Sequence, residues 1–242
     1  MIRKSRIIIL NIIKHGESGV VVQGYSNTDG RIALFMKGVG RNKNYRAYLH
    51  RLNIVDAEIY SRGDSMPIIK ELSPVKSLDS IRTDIYKNAI AIYMCELILK
   101  TIKEIEANET LFNFISGSIF FLEESEKNMA NFPSYFLVHL CQITGFKPLD
   151  NYGDNKCLFD ILSASYTSNT NIIRDEESLF SPTHSEFLHK LLNTPAIEIG
   201  NISSNGETRY KFVKKMLEYL SLHLGTPIEL KSLDVLHEIS SI

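Results

Sequence analysis

One stretch constrains this chain more than any other: Gly24 to Arg51, GYSNTDGRIALFMKGVGRNKNYRAYLHR. It contains an Asp29-Gly30 turn, and Asp-Gly readily supplies the positive φ of a tight hairpin. The apolar run Ile32–Met36 then reads as the returning strand. Next comes a glycine-punctuated basic segment with Lys37, Arg41, Lys43, Arg46 and Arg51, uninterrupted by any acid, and with Tyr45 and Tyr48 inside it. Cations that neutralise phosphates, interleaved with flat rings on which bases stack, suit a single-strand nucleic-acid surface.

The flanking sequence supplies more strands. Ile7–Ile13 is an apolar, β-branched run, turned by His15-Gly16-Glu17-Ser18-Gly19 into a second strand, Val20–Tyr25. Tyr25 and Phe35 read as core-facing strand residues. Leu52, Ile54, Ala57 and Ile59 mark an extended stretch whose drift from even to odd positions predicts a bulge at Val55-Asp56. Met66–Leu72 makes a fifth strand, closed by Ser73-Pro74. Five short antiparallel strands predict a small barrel of the OB type, and an SH3-like barrel satisfies the same strand count.

The character changes at Ser77-Leu78-Asp79-Ser80, polar residues suited to capping a helix. A stripe from Ile81 to Ile105 predicts one long helix ending near Asn108, and further helices are expected over 111–122, 133–143, 182–192 and 207–224, with a turn or two over 232–239. Residues 149–170 read as polar and irregular. The predicted fold class is therefore α+β and multidomain: a five-stranded OB-fold barrel over 1–76, then an all-α helical domain over 77–242.

The net charge of −1 over 242 residues hides an asymmetry. Residues 1–60 hold ten Lys/Arg against four acids, a surplus of +6, which leaves −7 for the remainder. Such segregation points to a localised anionic partner. Three widely spaced cysteines, Cys95, Cys141 and Cys157, fit a reducing compartment rather than a disulfide framework. The opening MIRKSRIIILNIIKHG imitates a signal peptide, but Asn11 and Lys14 interrupt it and no small-residue cleavage site follows. No run approaches the ~18–20 apolar residues of a membrane span. A cytoplasmic protein is expected.

Chemistry-bearing motifs are sparse. Lys37-Gly38-Val39-Gly40-Arg41 contains GxG without the third glycine or the βαβ context of a dinucleotide site, so it reads as a flexible connection. His184 and His189 are five apart, and no CxxC pair anchors a metal with Cys141 and Cys157. Glu96, within an apolar helix face, reads as structural. No acid–base or nucleophile set converges, so neither an enzyme nor a cofactor is expected. The competing functions are an OB-type adaptor that binds protein without touching DNA and, more weakly, a metal-dependent DNA-processing enzyme.

Several motifs together resemble the bacterial DNA repair protein RecO family. They are Thr28-Asp29-Gly30-Arg31-Ile32 with Lys37-Gly38-Val39-Gly40-Arg41-Asn42-Lys43, and Ser77-Leu78-Asp79-Ser80-Ile81-Arg82 leading into a helix with Lys87 and Glu96. Leu111-Phe112, Gly145-Phe146-Lys147-Pro148 and Leu230-Lys231-Ser232-Leu233 complete the likeness. The resemblance implies a recombination mediator that binds single- and double-stranded DNA and anneals complementary strands. With RecR, and in some settings RecF, it helps load RecA onto DNA coated by single-strand-binding protein (SSB), whose acidic, Phe-ended tail docks on the helical domain. Many relatives carry a four-cysteine zinc site after the Gly-Phe-x-Pro turn. Only Cys157 lies there in this chain, which implies a zinc-free variant held by apolar packing.

On this reading, phosphate contacts fall to Lys37, Arg41, Lys43, Arg46 and Arg51, with Arg31, Arg3, Lys4 and Arg6 in reserve, and stacking to Tyr45 and Tyr48. An apolar slot with a cationic rim, as the SSB tail requires, is expected at Phe136, Leu140, Phe146 and Lys147, with plain core packing the competing reading for Phe136 and Leu140.

Overall fold

The computed structural model describes residues 1–39, 43–63, 65–126, 129–168 and 176–239. The chain forms two compact units, Met1–Glu124 and Ser125–Ile242.

The first unit is built on a closed barrel. Its strands are β1 (Ile2–His15), β2 (Gly19–Ser26) and β3 (Gly30–Met36), then, after the short helix α1 (Lys43–Tyr48), β4 (Ile54–Tyr60) and β5 (Ile68–Pro74). The order around the barrel is β1-β2-β3-β5-β4, closed by β4 on β1. All pairings are antiparallel except β3 with β5. This closed five-stranded ring, with its helix between β3 and β4, is the OB-type arrangement expected from the strand count. Side chains alternate across each strand, so Ile7, Ile9, Val22, Leu34, Met36, Val55, Ala57 and Ile59 fill the interior. Ile69 and Leu72 of β5 and Val39 and Leu49, at either side of α1, complete that cluster, and Tyr45 and Tyr48 pack half-buried against it. Helix α1, with Val39 and Leu49 beside it, is thus a lid on the barrel, anchored by apolar residues.

Three expectations are corrected in this unit. No bulge occurs at Val55-Asp56: Leu52 and Ile54 are buried outside the interior cluster, while Val55, Ala57 and Ile59 lie within it. Both faces of β4 are covered there, which in sequence imitates a change of register. The register shift falls instead where Glu58 pairs with Glu71 and Ile59 with Ile69, leaving Lys70 as the extra residue on β5. The long helix to Asn108 is broken in two, α2 (Asp79–Thr83) and α3 (Ile85–Thr101), because Asp84 is extended and its carboxylate accepts the Lys87 N–H as the cap of α3. Finally, α3 is buried on nearly every side (Ala89, Ile90, Ala91, Tyr93, Met94, Leu97 and Ile98), so it is a central helix rather than an amphipathic one. It packs on β1.

The helix α4 (Glu109–Glu124) closes the unit. Its Glu123 carboxylate accepts the N–H groups of Ser80 and Ile81, both at 2.9 Å, where α2 leaves its donors unsatisfied. The buried Lys87 ammonium donates to the Glu123 carbonyl (2.9 Å) and to Ser80 Oγ (2.6 Å).

The second unit contains α5 (Phe132–Ile143), α6 (Pro182–Asn193), α7 (Gly206–Leu224) and α8 (Lys231–Ile239). Pro133 and Pro182 sit in first turns, where a missing N–H costs nothing, and Gly225 ends α7 at φ 63°. The stretch read as irregular holds a small hairpin, β6 (Leu158–Asp160) with β7 (Ser165–Thr167). Its Phe159 ring meets Tyr166, Phe180 and Tyr219 edge-on, with centroids 5.3, 5.2 and 5.8 Å away. No helix among the described residues is long and apolar enough to cross a membrane.

Candidate nucleic-acid interface

The turn at the head of β3 is held by a dense polar network. Ser5, Ser26 and Thr28 share their hydroxyls, Thr28 and Ser26 donate to the Asp29 carboxylate, and Arg3 pairs with it at 2.7 Å. Gly30 adopts φ +63°, and a Cβ there would lie 2.2 Å from the Glu106 carbonyl oxygen. Only glycine permits both the left-handed backbone and the approach of the chain leaving α3. Arg31 then donates from Nη1 to the carbonyls of Leu99 (2.7 Å) and Ile102 (2.6 Å), satisfying acceptors that α3 leaves open at its C-terminus. Burial lowers its pKa from the usual arginine value. Arg31, expected as a reserve phosphate contact, therefore serves as a helix cap.

The other cations have different surroundings. Arg6 pairs with Asp56 at 2.8 Å, as Arg3 does with Asp29, whereas Lys4 is exposed. Lys37, Arg46 and Arg51 are exposed, and none of them forms an ion pair with a described residue. Lys37 precedes the lid helix, Arg46 lies in its last turn, and Arg51 follows it. Arg41 lies outside the described residues; Lys43 begins the helix. Gly38 sits at φ +72° with nothing within 4 Å of its Cβ position, so this entry to the lid is open to solvent.

Tyr45 and Tyr48, expected as stacking residues, lay part of their rings on the barrel interior. Phe35, expected to face the core, does the reverse. Its neighbours Leu34 and Met36 belong to the interior cluster and Phe35 does not, so the pleat directs it outward, half-buried. Tyr25 is also outside that cluster, but it is covered: its phenol meets the Asn108 backbone, and burial raises its pKa. Strand parity against Val22 and Leu34 turns both rings outward, and they differ in cover: Tyr25 is buried and Phe35 is not.

In the second unit, Phe136 and Leu140 are core residues, 0 % and 1 % exposed. Phe146 is half-buried with its carbonyl accepting the Tyr219 hydroxyl at 3.0 Å, and Lys147 is exposed beside the exposed Leu149. The hairpin region does not fit a zinc ion. A structural site of that kind takes four thiolate or imidazole ligands, and Cys157 is the one thiol there. No group of three His, Cys, Asp or Glu able to hold a metal occurs among the described residues. The Phe159 ring cluster occupies the heart of the region instead. Cys95 and Cys141 are buried; burial pushes the Cys95 thiol up to about 12 and raises that of Cys141 as well, so neither is a ready nucleophile.

An OB-type barrel bearing exposed cations around its lid, joined in sequence to a helical unit, defines a class of two-unit proteins with an OB-type part and a mostly helical part. Residues 1–78 match the family model Recombination protein O N terminal, and residues 82–234 match Recombination protein O C terminal. The chain is 31% identical over 248 residues to a DNA repair protein RecO of Bacteroides fragilis, and 28% identical over 246 residues to one of Christiangramia forsetii. Each alignment covers 99% of both chains. This chain belongs to the RecO family of DNA repair and recombination proteins.

Proposed function

We propose that this protein is a cytoplasmic, nucleoid-associated recombination mediator that binds single- and double-stranded DNA at the lid end of its barrel and anneals complementary strands. With RecR, and in some settings RecF, it would then help load RecA onto SSB-coated DNA. The observation that carries this reading is the set of three exposed cations, Lys37, Arg46 and Arg51, around the lid of a barrel whose first 60 residues carry a net charge of +6. Complementary strands repel through their phosphates. A cationic surface lowers that repulsion while leaving bases free to pair, so annealing requires no covalent step. Arg41 and Lys43 are proposed beside them on their place in the same basic segment of the sequence alone. Arg31, Arg3 and Arg6 are left out because each is engaged within the protein.

The SSB tail pairs carboxylates with a terminal aromatic ring. At the exit of α5, half-buried Phe146 is followed by exposed Lys147 and Leu149, which supports docking there, while Phe136 and Leu140 are core residues.

A strand-annealing assay with SSB-coated complementary oligonucleotides, run beside a salt titration of binding, tests the reading. Removing Lys37, Arg46 and Arg51 together should slow annealing and flatten the slope of log K against log salt by about 2, at roughly 0.7 per phosphate contact. An unchanged slope moves the DNA path elsewhere. No binding by the wild type leaves the protein-adaptor function in its place.

A further inference from the structure

We propose that the uncovered half of the outer β1–β2–β3 face is a stacking platform for the bases of a single strand, with Phe35 as its central ring. This rests on the DNA-binding reading above and adds to it the surface that holds the bases.

Strand register divides the outer face into rows. The row Ile8–Tyr25–Arg31 is covered: Ile8 and Tyr25 are buried, and Arg31 reaches the end of α3. Past the register shift in β1, the cover stops. The row Asn11–Gln23–Ala33 is half-buried, and Asn11 Nδ2 donates to Gln23 Oε1 at 3.0 Å. The next row is Ile13–Val21–Phe35, with Ile13 46% exposed. Beyond it, His15 pairs with Gly19, and Lys37 continues the outward parity of Phe35.

The Phe35 ring is set in place. A Cβ on Gly19 would lie 2.8 Å from its Cε2 and 2.9 Å from its Cζ, so the ring rests where position 19 has no side chain. His15 meets it edge-on, with centroids 5.4 Å apart and planes at 81°. The result is a supported aromatic ring beside apolar surface, with amides on one side and a cation on the other. No carboxylate occurs in these three rows. Bases present π-faces and hydrogen-bonding edges on a polyanionic backbone, and this sequence of side chains complements all three. An apolar protein patch would match the middle row and leave the paired amides and Lys37 unexplained.

The chain has no tryptophan, so Phe35→Trp creates a single indole at the platform. Titrated with a short oligothymidylate, the full-length variant should show its emission quenched in step with the rise in oligonucleotide anisotropy. Phe35→Ala should bind about tenfold more weakly, the scale of one lost base stack, with the salt slope unchanged; Phe35→Tyr should restore affinity. An indole left unquenched while anisotropy reports binding overturns the platform and leaves the cationic track intact. So does equal affinity of Phe35→Ala. Quenching by RecR but not by oligonucleotide reassigns the face to a protein contact. Absence of any binding by the wild type removes the DNA reading, and the platform with it.

Discussion

Two glycine–cation pairs stand within nine residues of each other, Gly30-Arg31 and Lys37-Gly38, and their surroundings are opposite. Both glycines adopt positive φ. Gly30 is pressed against the backbone of Glu106, and Arg31 is spent on the carbonyls that end α3. Gly38 faces open space, and Lys37 is exposed. The first pair joins barrel to helix; the second is available to a ligand. A cation beside a flexible turn is therefore not a binding residue by composition alone. What decides is whether the fold brings a set of unsatisfied carbonyls within its reach.

Substitutions at the glycines should break this comparison most sharply. Gly30→Ala meets both a forbidden φ and a backbone oxygen that cannot withdraw, so a loss of about 3 kcal/mol is expected in urea denaturation. Gly38→Ala meets only the φ penalty, about 1 kcal/mol. Equal losses would erase the distinction between the two turns. Arg31→Ala should follow, costing about 2 kcal/mol by stripping charge-assisted bonds from two carbonyls, while the salt slope of DNA binding stays as in the wild type. Lys37→Ala should do the converse: stability within about 0.5 kcal/mol of wild type, and a slope shallower by about 0.7.

Acid should act on both compact units, through His50 in the first, whose pKa burial lowers, and through two such rings in the second. In the second, burial lowers the pKa values of His139 and His184, so the folded state holds these rings neutral where the unfolded chain protonates them. Their contribution is complete above the ordinary histidine range, about 6.5, and is lost as pH falls from there through the lowered folded values. Asp150, whose pKa is also lowered as its carboxylate accepts from Asn193 and pairs with His189, adds a further loss below the ordinary carboxylate range. Melting curves from pH 7 to about pH 5 should show falling stability, blunted in His139→Gln and His184→Gln. The smallest effect belongs to the surface: Lys147→Glu should weaken binding of an SSB tail peptide without moving the melting temperature, and unchanged affinity would take the tail away from the exit of α5.

Much of this was legible in the chain. The Asp29-Gly30 turn, the β-branched runs and the helix stops at Gly145 and Gly225 are local signals, read through backbone conformations that few residues adopt. One failure came where both sides of an element were covered. Leu52 and Ile54 looked like a slipped register because the outer face of β4 is buried as well as the inner one. The hairpin over 158–167 was missed because each strand is three residues long, too short for a period to show, and is held by distant rings on α7 and before α6. Phe35 was misassigned because parity along one strand has meaning only once its neighbours are known to point inward.

The sequence alone determined the five-stranded barrel, the helical remainder, the family and the basic character of the lid, since turn chemistry, hydrophobic period and charge segregation are properties of neighbours in the chain. Only the tertiary structure decided which cations remain available and which ring faces outward. For Arg31 the outcome depends on carbonyls more than sixty residues away, at the C-terminal end of α3, which the local pattern of Gly24 to Arg51 does not contain.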